Sequence, residues 1–132
     1  MWSIDFVMDS LANDRELKCL TIADDKTHEC VDITVDPGIS GLYVTRTLEQ
    51  AAVFRGFPQA IRTYGGPEFT SRVFMSWMHT NGIEHLLIQP SKPTQNVYIE
   101  SFNGKFRDEC LIEYWFETLS QARVAINKWR KD

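Results

Sequence analysis

Up to Asp36 the chain is written in short β-prone runs separated by turn signals. Trp2 to Asp9 (Trp-Ser-Ile-Asp-Phe-Val-Met-Asp) is apolar and β-prone and predicts a strand. Asn13-Asp14 marks a turn and Leu17 to Ala23 a second strand. Asp24-Asp25-Lys26 marks another turn, and Cys30 to Val35 alternates as a third strand. Connections this short favour an antiparallel meander.

After Pro37-Gly38 the period lengthens. Ser40 is placed to cap a helix with Val44, Leu48, Ala51 and Ala52 on its apolar face, and Gly56 with Pro58 ends it. Ala60 to Thr63 is short and apolar enough for a buried strand. Phe69, Val73 and Trp77 fall four apart, with Phe74 and Met78 beside them, and predict a second helix stopped by Asn81-Gly82. Ile83 to Ile88 predicts a fifth strand. Gln89 to Pro93 reads as loop, because two prolines three apart interrupt any ladder, and a helix from Thr94 or Gln95 follows. Ser120 is the expected cap of a last helix with Ala122, Ala125, Ile126 and Trp129 on one face. Leu119 and Val124 suit a hydrophobic staple at its start.

The resulting order, βββαβαβαα, predicts an α/β fold: three antiparallel strands and then two parallel ones in a mixed sheet, with helices on both sides. Without repeats, low-complexity segments or internal linkers, residues 1–132 are expected to form a single domain. An apolar content of 43% is enough for one core. Aromatic residues spread along the whole chain argue against a disordered tail. No apolar run approaches the roughly 20 residues needed to cross a bilayer, and Met1 to Asp5 lacks the basic start of a secretory signal. Three cysteines, Cys19, Cys30 and Cys110, with no CxxC pair, point to a reducing, cytoplasmic setting. His28, His79 and His85 do not stand at zinc spacing from them.

A net charge of −4 does not by itself suggest a phosphate-binding surface. The charges are unevenly spread, however. Acids are frequent from Asp5 to Asp36, while the last ten residues carry Arg123, Lys128, Arg130 and Lys131. That tail is most simply a solvated helix face. An acidic centre with basic edges also suits metal-dependent phosphoryl transfer.

Two acids stand out. Asp5 sits inside the first strand between Ile4 and Phe6, whose side chains point to the opposite face. A central-strand carboxylate is costly to bury unless something cationic binds it, though a half-exposed strand would leave it solvated. Glu100 follows the proline loop on a helix where Ile99, Phe102 and Phe106 share an apolar face. Glu100, Asn103, Gly104 and Arg107 line the neighbouring polar one. Gly104 costs about 1 kcal/mol in a helix interior, which suggests a close approach there. Lys92, Lys105 and Arg107 are candidate phosphate-binding cations around Glu100, although a helical Glu among Lys and Arg is more often a surface ion pair.

Three linked stretches carry a resemblance: Trp2-Ser3-Ile4-Asp5-Phe6, Gly66-Pro67-Glu68-Phe69-Thr70-Ser71, and Gln89 to Asn96 running through Glu100-Ser101-Phe102-Asn103-Gly104. Together with Arg107-Asp108-Glu109-Cys110-Leu111 they resemble the catalytic part of OrfB-type insertion-sequence transposases, relatives of retroviral integrases, over essentially the whole chain. The resemblance implies an RNase H-like fold and a DDE triad of acids holding two Mg²⁺ or Mn²⁺ ions. It also implies DNA strand cleavage and strand transfer on transposon ends and target, by a homodimer, with no membrane or small-molecule substrate. Two divalent ions held by hard carboxylate oxygens can activate the attacking oxygen and stabilise the leaving one. By resemblance Asp5 matches the first acid and Glu100 the third, both as metal ligands. Lys92, Asn96, Asn103, Lys105 and Arg107 are the DNA-binding candidates. Bound to DNA, such a protein would sit at the bacterial nucleoid.

The second acid belongs in a Thr-Asp-Asn-Gly-Pro-Glu-Phe motif, and here the chain reads Thr63-Tyr64-Gly65-Gly66-Pro67-Glu68-Phe69. Thirty-five residues separate positions 64 and 100, the interval of the DDE motif, so only the chemistry has changed. A neutral phenol is a poor replacement for a carboxylate at a Mg²⁺ site. Glu68, Asp9 or Asp24 could stand in, but a decayed copy of a mobile element, or a fragment whose altered site was never under test, is the favoured explanation. Family members also carry a helix-turn-helix part ahead of the core, and here Met1 stands only four residues before Asp5. Two readings follow: a polynucleotidyl transferase core with impaired activity, or a non-catalytic relic retaining the fold, self-association and DNA contact. A ribonuclease of the same fold fits the Pro-Thr-Gln-Asn…Glu segment less well. Trp115, Phe116 and Trp129 are expected to complete the core rather than form an interface.

Overall fold

The computed structural model describes residues 1–88, 98–112 and 115–131. Three long strands open the chain: β1 (Trp2–Ser10), β2 (Glu16–Asp24) and β3 (Glu29–Asp36). Helix α1 (Gly41–Arg55), strand β4 (Ala60–Tyr64), helix α2 (Arg72–Thr80) and strand β5 (Glu84–Ile88) follow. Helix α3 (Tyr98–Phe106) runs into a π-helical turn, Arg107–Leu111, and α4 (Leu119–Lys131) closes the chain.

The five strands form one sheet in the order β3-β2-β1-β4-β5. β1 and β3 pair antiparallel with β2, and β4 pairs parallel with β1 and β5, so the expected mixed sheet is present. Two-residue alternation then sorts side chains onto two faces. Ile4, Leu20, Ile22 and Ile61 face α1 and α2, and pack with Val44, Leu48, Phe69, Phe74 and Met78. Val7, Cys19, Ile33 and Val35 face α3 and α4, and pack with Phe102, Phe106, Cys110 and Ile126. The register shift between Ile22 and Ala23 explains why Val31 joins the first cluster while Ile33 and Val35 join the second. Burying a large apolar side chain contributes about 1.5–3 kcal/mol, so each sheet face holds its helices firmly.

The helix signals hold at α1: Ser40 accepts from the Tyr43 amide, and Gly56 closes the end. Three expectations need correction. The predicted helix through Phe69, Val73 and Trp77 is broken, because Pro67–Phe69 forms a 3₁₀ turn and Ser71 caps α2. Phe74 and Met78 supply its buried face, while Val73 is exposed. Thr118, not Ser120, caps α4: its hydroxyl accepts from the Gln121 amide at 3.1 Å, and Gln121 reaches back to the Glu117 amide at 3.0 Å. With the cap two residues earlier, Val124 faces solvent and no staple to Leu119 forms.

The basic tail is not wholly solvated either. Arg130 binds Asp32 at 2.8 Å and the Val31 carbonyl at 2.7 Å, and Arg123 reaches the Val35 carbonyl and Asp36. These guanidinium groups cover outward carbonyls of edge strand β3, which blunts pairing with another chain. Phe116 is buried and Trp129 packs on Phe102 and Phe106, as expected of core residues. Trp115 is 82% exposed and is not core.

Candidate functional site

Sheet topology places the site. β1 lies between β2 and β4, so Asp5 has Thr21 across one ladder, and Tyr64 ends the neighbouring parallel strand. Ser3, Asp5 and Val7 share the face covered by α3, and register carries Arg62, opposite Ser3, onto the same face. Open α/β sheets bind ligands where the carboxyl ends of adjacent parallel strands meet, which is where these residues gather.

Asp5 is half-buried and well held. Its Oδ1 accepts from the Phe6 amide at 2.8 Å, and its Oδ2 from Asn103 Nδ2 at 3.2 Å. Asn103 is oriented in turn, because Thr21 Oγ1 donates to its Oδ1 at 2.8 Å. Burial pushes the Asp5 carboxyl up to about 6; the amide and Asn103 bonds act against this, and the Glu100 charge adds to it. Packing of Ile99, Phe102 and Phe106 into the core docks α3 at the height that presents Asn103 to Asp5.

The end of β4 is different. Tyr64 packs with Ala23, Ile99 and Tyr98, and its hydroxyl is buried with no hydrogen-bond partner among the described residues. Burial pushes this phenol up to about 12; neighbouring Arg62 opposes the shift, and the Glu100 and Asp25 carboxylates add to it. Tyr64 is therefore a protonated, neutral group at any physiological pH. Arg62 pairs with Asp25 at 3.6 Å, and Asp25 accepts from the buried Ser3 hydroxyl at 2.9 and 2.7 Å.

Beyond Tyr64 the backbone turns through Gly65 and Gly66, the latter at φ 97°, a conformation that side chains disfavour. The turn folds Glu68 inward until only 9% of it is exposed. Lys18 reaches Glu68 Oε1 at 3.4 Å while lying over the Phe6 ring, and Glu68 Oε2 is buried without a described partner. Gly41 lets α1 start against this turn, since a β-carbon there would run into Ser71 Oγ and the Glu68 carbonyl. Asp5, Phe6, Met8, Lys18, Tyr64, Gly65, Gly66 and Glu68 line one cavity of about 370 Å³. A larger cavity of about 650 Å³ lies against α4, away from these acids.

The structure thus brings Asp5, Tyr64, Glu100 and Asn103 together, Glu100 lying on the exposed side of α3 within electrostatic reach of both Asp5 and Tyr64. Lys105 pairs with Glu109 at 4.0 Å, and Arg107 donates to the Met8 carbonyl at 3.4 Å. Among the described residues nothing lies within reach of a β-carbon at Gly104. Lys92 and Asn96 lie outside the described residues. Thr21, Lys18 and Arg62 escaped the sequence reading. Their signal was a polar residue interrupting an apolar strand, but which strand it faces depends on pairing.

Two descriptions of the integrase core domain match the sequence, one over residues 1–93 and the other over residues 81–132. The chain belongs to the integrase core family. Within that family it is 65% identical over 130 residues to an uncharacterised 39.2 kDa protein of insertion element IS476 from Xanthomonas euvesicatoria, covering 98% of this chain and 38% of that one. It is 64% identical over 132 residues to an uncharacterised 31.7 kDa protein of insertion element IS407 from Burkholderia multivorans, covering 100% and 48%. The chain therefore spans less than half the length of these relatives. The HTLV-2 integrase catalytic core, solved in complex with magnesium, superimposes with a TM-score of 0.70 at 19% identity, covering 96% of this chain and 79% of that one. That likeness establishes the integrase-core, RNase H-like fold. No helix among the described residues is long and apolar enough to cross a membrane.

The donor set of this integrase core does not fit a three-carboxylate metal centre. Tyr64 offers a protonated hydroxyl where a hard anionic oxygen is required, and no group of three His, Cys, Asp or Glu donors assembles among the described residues. No step through a metal pair follows from this arrangement.

Proposed function

We propose that this integrase core is the DNA-handling domain of an insertion-element transposase in which strand cleavage and strand transfer are impaired at Tyr64. The supporting observation is the buried, protonated Tyr64 hydroxyl at the end of β4, beside an Asp5 that is still oriented by Asn103 and Thr21. In this reading residues 1–132 act as one domain. Asp5 and Glu100 are the surviving acids, and Asn103 positions Asp5. Lys92, Asn96, Lys105 and Arg107 contact DNA, and Arg107 stands beside the end of β1, donating to the Met8 carbonyl. Mg²⁺ or Mn²⁺ would supply Lewis-acid activation of the attacking oxygen in the family reaction. DNA is the partner, at the nucleoid, and a homodimer holds two DNA ends. A strict monomer by solution scattering at high concentration would count against that dimer.

The second reading, a non-catalytic relic that keeps the fold, self-association and DNA contact, is favoured by the same tyrosine. Nicking of supercoiled plasmid in Mn²⁺ separates the two. Residual nicking by the chain, lost in Glu100→Gln, supports the impaired enzyme and sinks the relic. No nicking by the chain, with nicking appearing in Tyr64→Asp, supports the relic. Under the first reading Tyr64→Asp, which restores a direct carboxylate ligand, raises the nicking rate well above that of the parent chain.

A further inference from the structure

We infer that His28 and Tyr98 form a stacking ledge for an unpaired DNA base beside the site, an inference that rests on the DNA-handling reading above. The two rings lie flat on one another, with centroids 4.5 Å apart and planes within 1°. Tyr98 backs the ledge: it is half-buried, packs with Tyr64 around Ala23 and Ile99, and leans on the Phe102 ring. His28 is the outer layer. It is exposed, and no other ring among the described residues stacks on it.

The backbone holds the imidazole there at a cost. His28 sits at φ 60°, in the left-handed region that residues with a β-carbon rarely occupy. Hydrogen bonds fix the turn: the His28 amide donates to the Asp24 carbonyl at 2.8 Å, and Asp24 Oδ1 accepts from the Lys26 and Thr27 amides. Glycine would close the same turn with less strain. An exposed ring kept at a strained position adds little to the core, and strain of this kind gathers where ligands are clamped.

Position and charge favour a nucleobase. Tyr98 precedes Glu100 by two residues, and its neighbour Tyr64 ends β4, so the ledge borders the acids. The carboxylates around the turn are already engaged, Asp25 by Arg62 and Ser3, and Glu29 by Arg55 at 3.6 Å. Lys26, exposed on the same turn, adds a cation for the adjoining phosphate. Aromatic ledges with a nearby cation hold single-stranded nucleic acid largely without regard to sequence. Bases inside a duplex have both faces covered by their neighbours, so the ledge fits a base that has left its pair. The competing account is a clasp that ties the β2–β3 turn to α3 and touches no DNA.

Titration of the 132-residue chain in EDTA into two labelled duplexes decides between them, one blunt and one with a short single-stranded overhang carrying 2-aminopurine. Binding is read by anisotropy and stacking by quenching of the 2-aminopurine. The overhang is expected to bind about tenfold tighter than the blunt duplex, with quenching. His28→Gly, which suits the backbone angle and removes only the ring, loses the preference and the quenching, while its affinity for the blunt duplex stays within twofold. His28→Phe keeps both, since stacking needs a ring and not an imidazole. A parent chain with no overhang preference overturns the inference, as does one that binds neither duplex. So does a preference kept in His28→Gly, the result the clasp predicts, or one lost in His28→Phe. Nicking of plasmid by Tyr64→Asp does not involve His28, so the proposed function stands or falls separately on that assay.

Discussion

On the α3 side of the site, Asp5 accepts from a backbone amide and from Asn103, and Asn103 is held by Thr21. On the β4 side, the Tyr64 hydroxyl and Glu68 Oε2 are both buried without described partners. The two sides meet at neighbouring strand ends. One is a closed hydrogen-bond chain, while the other leaves Glu68 Oε2 unpaired among the described residues and gives the Tyr64 hydroxyl only the neighbouring Arg62. The contrast follows from what supports each. Asn103 stands on a helix docked by three buried apolar residues. Ile99 touches Tyr64, but Phe102 and Phe106 pack in the other cluster, so most of the helix's support lies away from Tyr64. The β4 end is a two-glycine turn whose side chains were placed by backbone geometry rather than by mutual satisfaction. An altered residue at position 64 can therefore remove the chemistry of one side while the other side stays in order.

The largest effect that would break this contrast comes from undocking α3. Phe106 is fully buried between Phe102, Trp129 and the sheet. Phe106→Ala is expected to cost about 3–5 kcal/mol by urea unfolding, the range for removing a core aromatic. A loss below about 1 kcal/mol would mean that α3 is held by something other than this packing, and the account of Asn103 would fall with it.

A smaller effect tests the charge on that side. The Asp5 carboxyl sits near 6 in the folded protein against 3.8 for an ordinary aspartate. The folded state therefore holds its proton more tightly than the unfolded state does. The stabilising contribution is full below pH 4 and is lost as pH rises through about 6. Allowing for partial exposure, the loss by pH 7 is about 2 kcal/mol. In EDTA, the parent chain should lose that much relative to Asp5→Asn between pH 4 and pH 7. Parallel stability curves for the two proteins would show that Asp5 is not shifted. Asn103→Ala, which removes an opposing hydrogen bond, should move the midpoint of this loss to higher pH.

Strand runs, the change of period after Pro37-Gly38 and the caps at Ser40 and Asn81 were legible because each is a local signal read within one turn or one strand. Asp5 was legible as an acid inside an apolar strand, and Asn103 as one of the polar residues along a face of its helix. Their hydrogen bond was not, since it joins residues far apart in sequence. Lys18 was invisible for the same reason: only the β1–β2 register sets it opposite Met8, beside Phe6 and Glu68. The α4 start was misread because Thr118 and Ser120 are equally good caps. The choice fell to Gln121, whose side chain and amide together satisfy a box begun at Thr118. The break before α2 was missed because the spacing of Phe69 and Val73 imitates a helix that Pro67 and Ser71 divide in two.

The smallest effect bears on the β4 side itself. If the Tyr64 hydroxyl is truly uncompensated, deleting it removes a desolvation cost and leaves the ring packing against Ile99 and Tyr98 intact. Tyr64→Phe should then be neutral or stabilising by up to about 1 kcal/mol, whereas removing a satisfied buried hydroxyl costs about 1 kcal/mol or more. The sign therefore decides. Arg62 is the group that would reverse it, because its guanidinium already opposes the rise of the phenol. A destabilising Tyr64→Phe whose cost disappears in an Arg62→Met background would identify Arg62 as the hidden partner. The β4 side would then be as closed as the α3 side, and Tyr64 would be a settled replacement for the missing acid rather than an unsatisfied one.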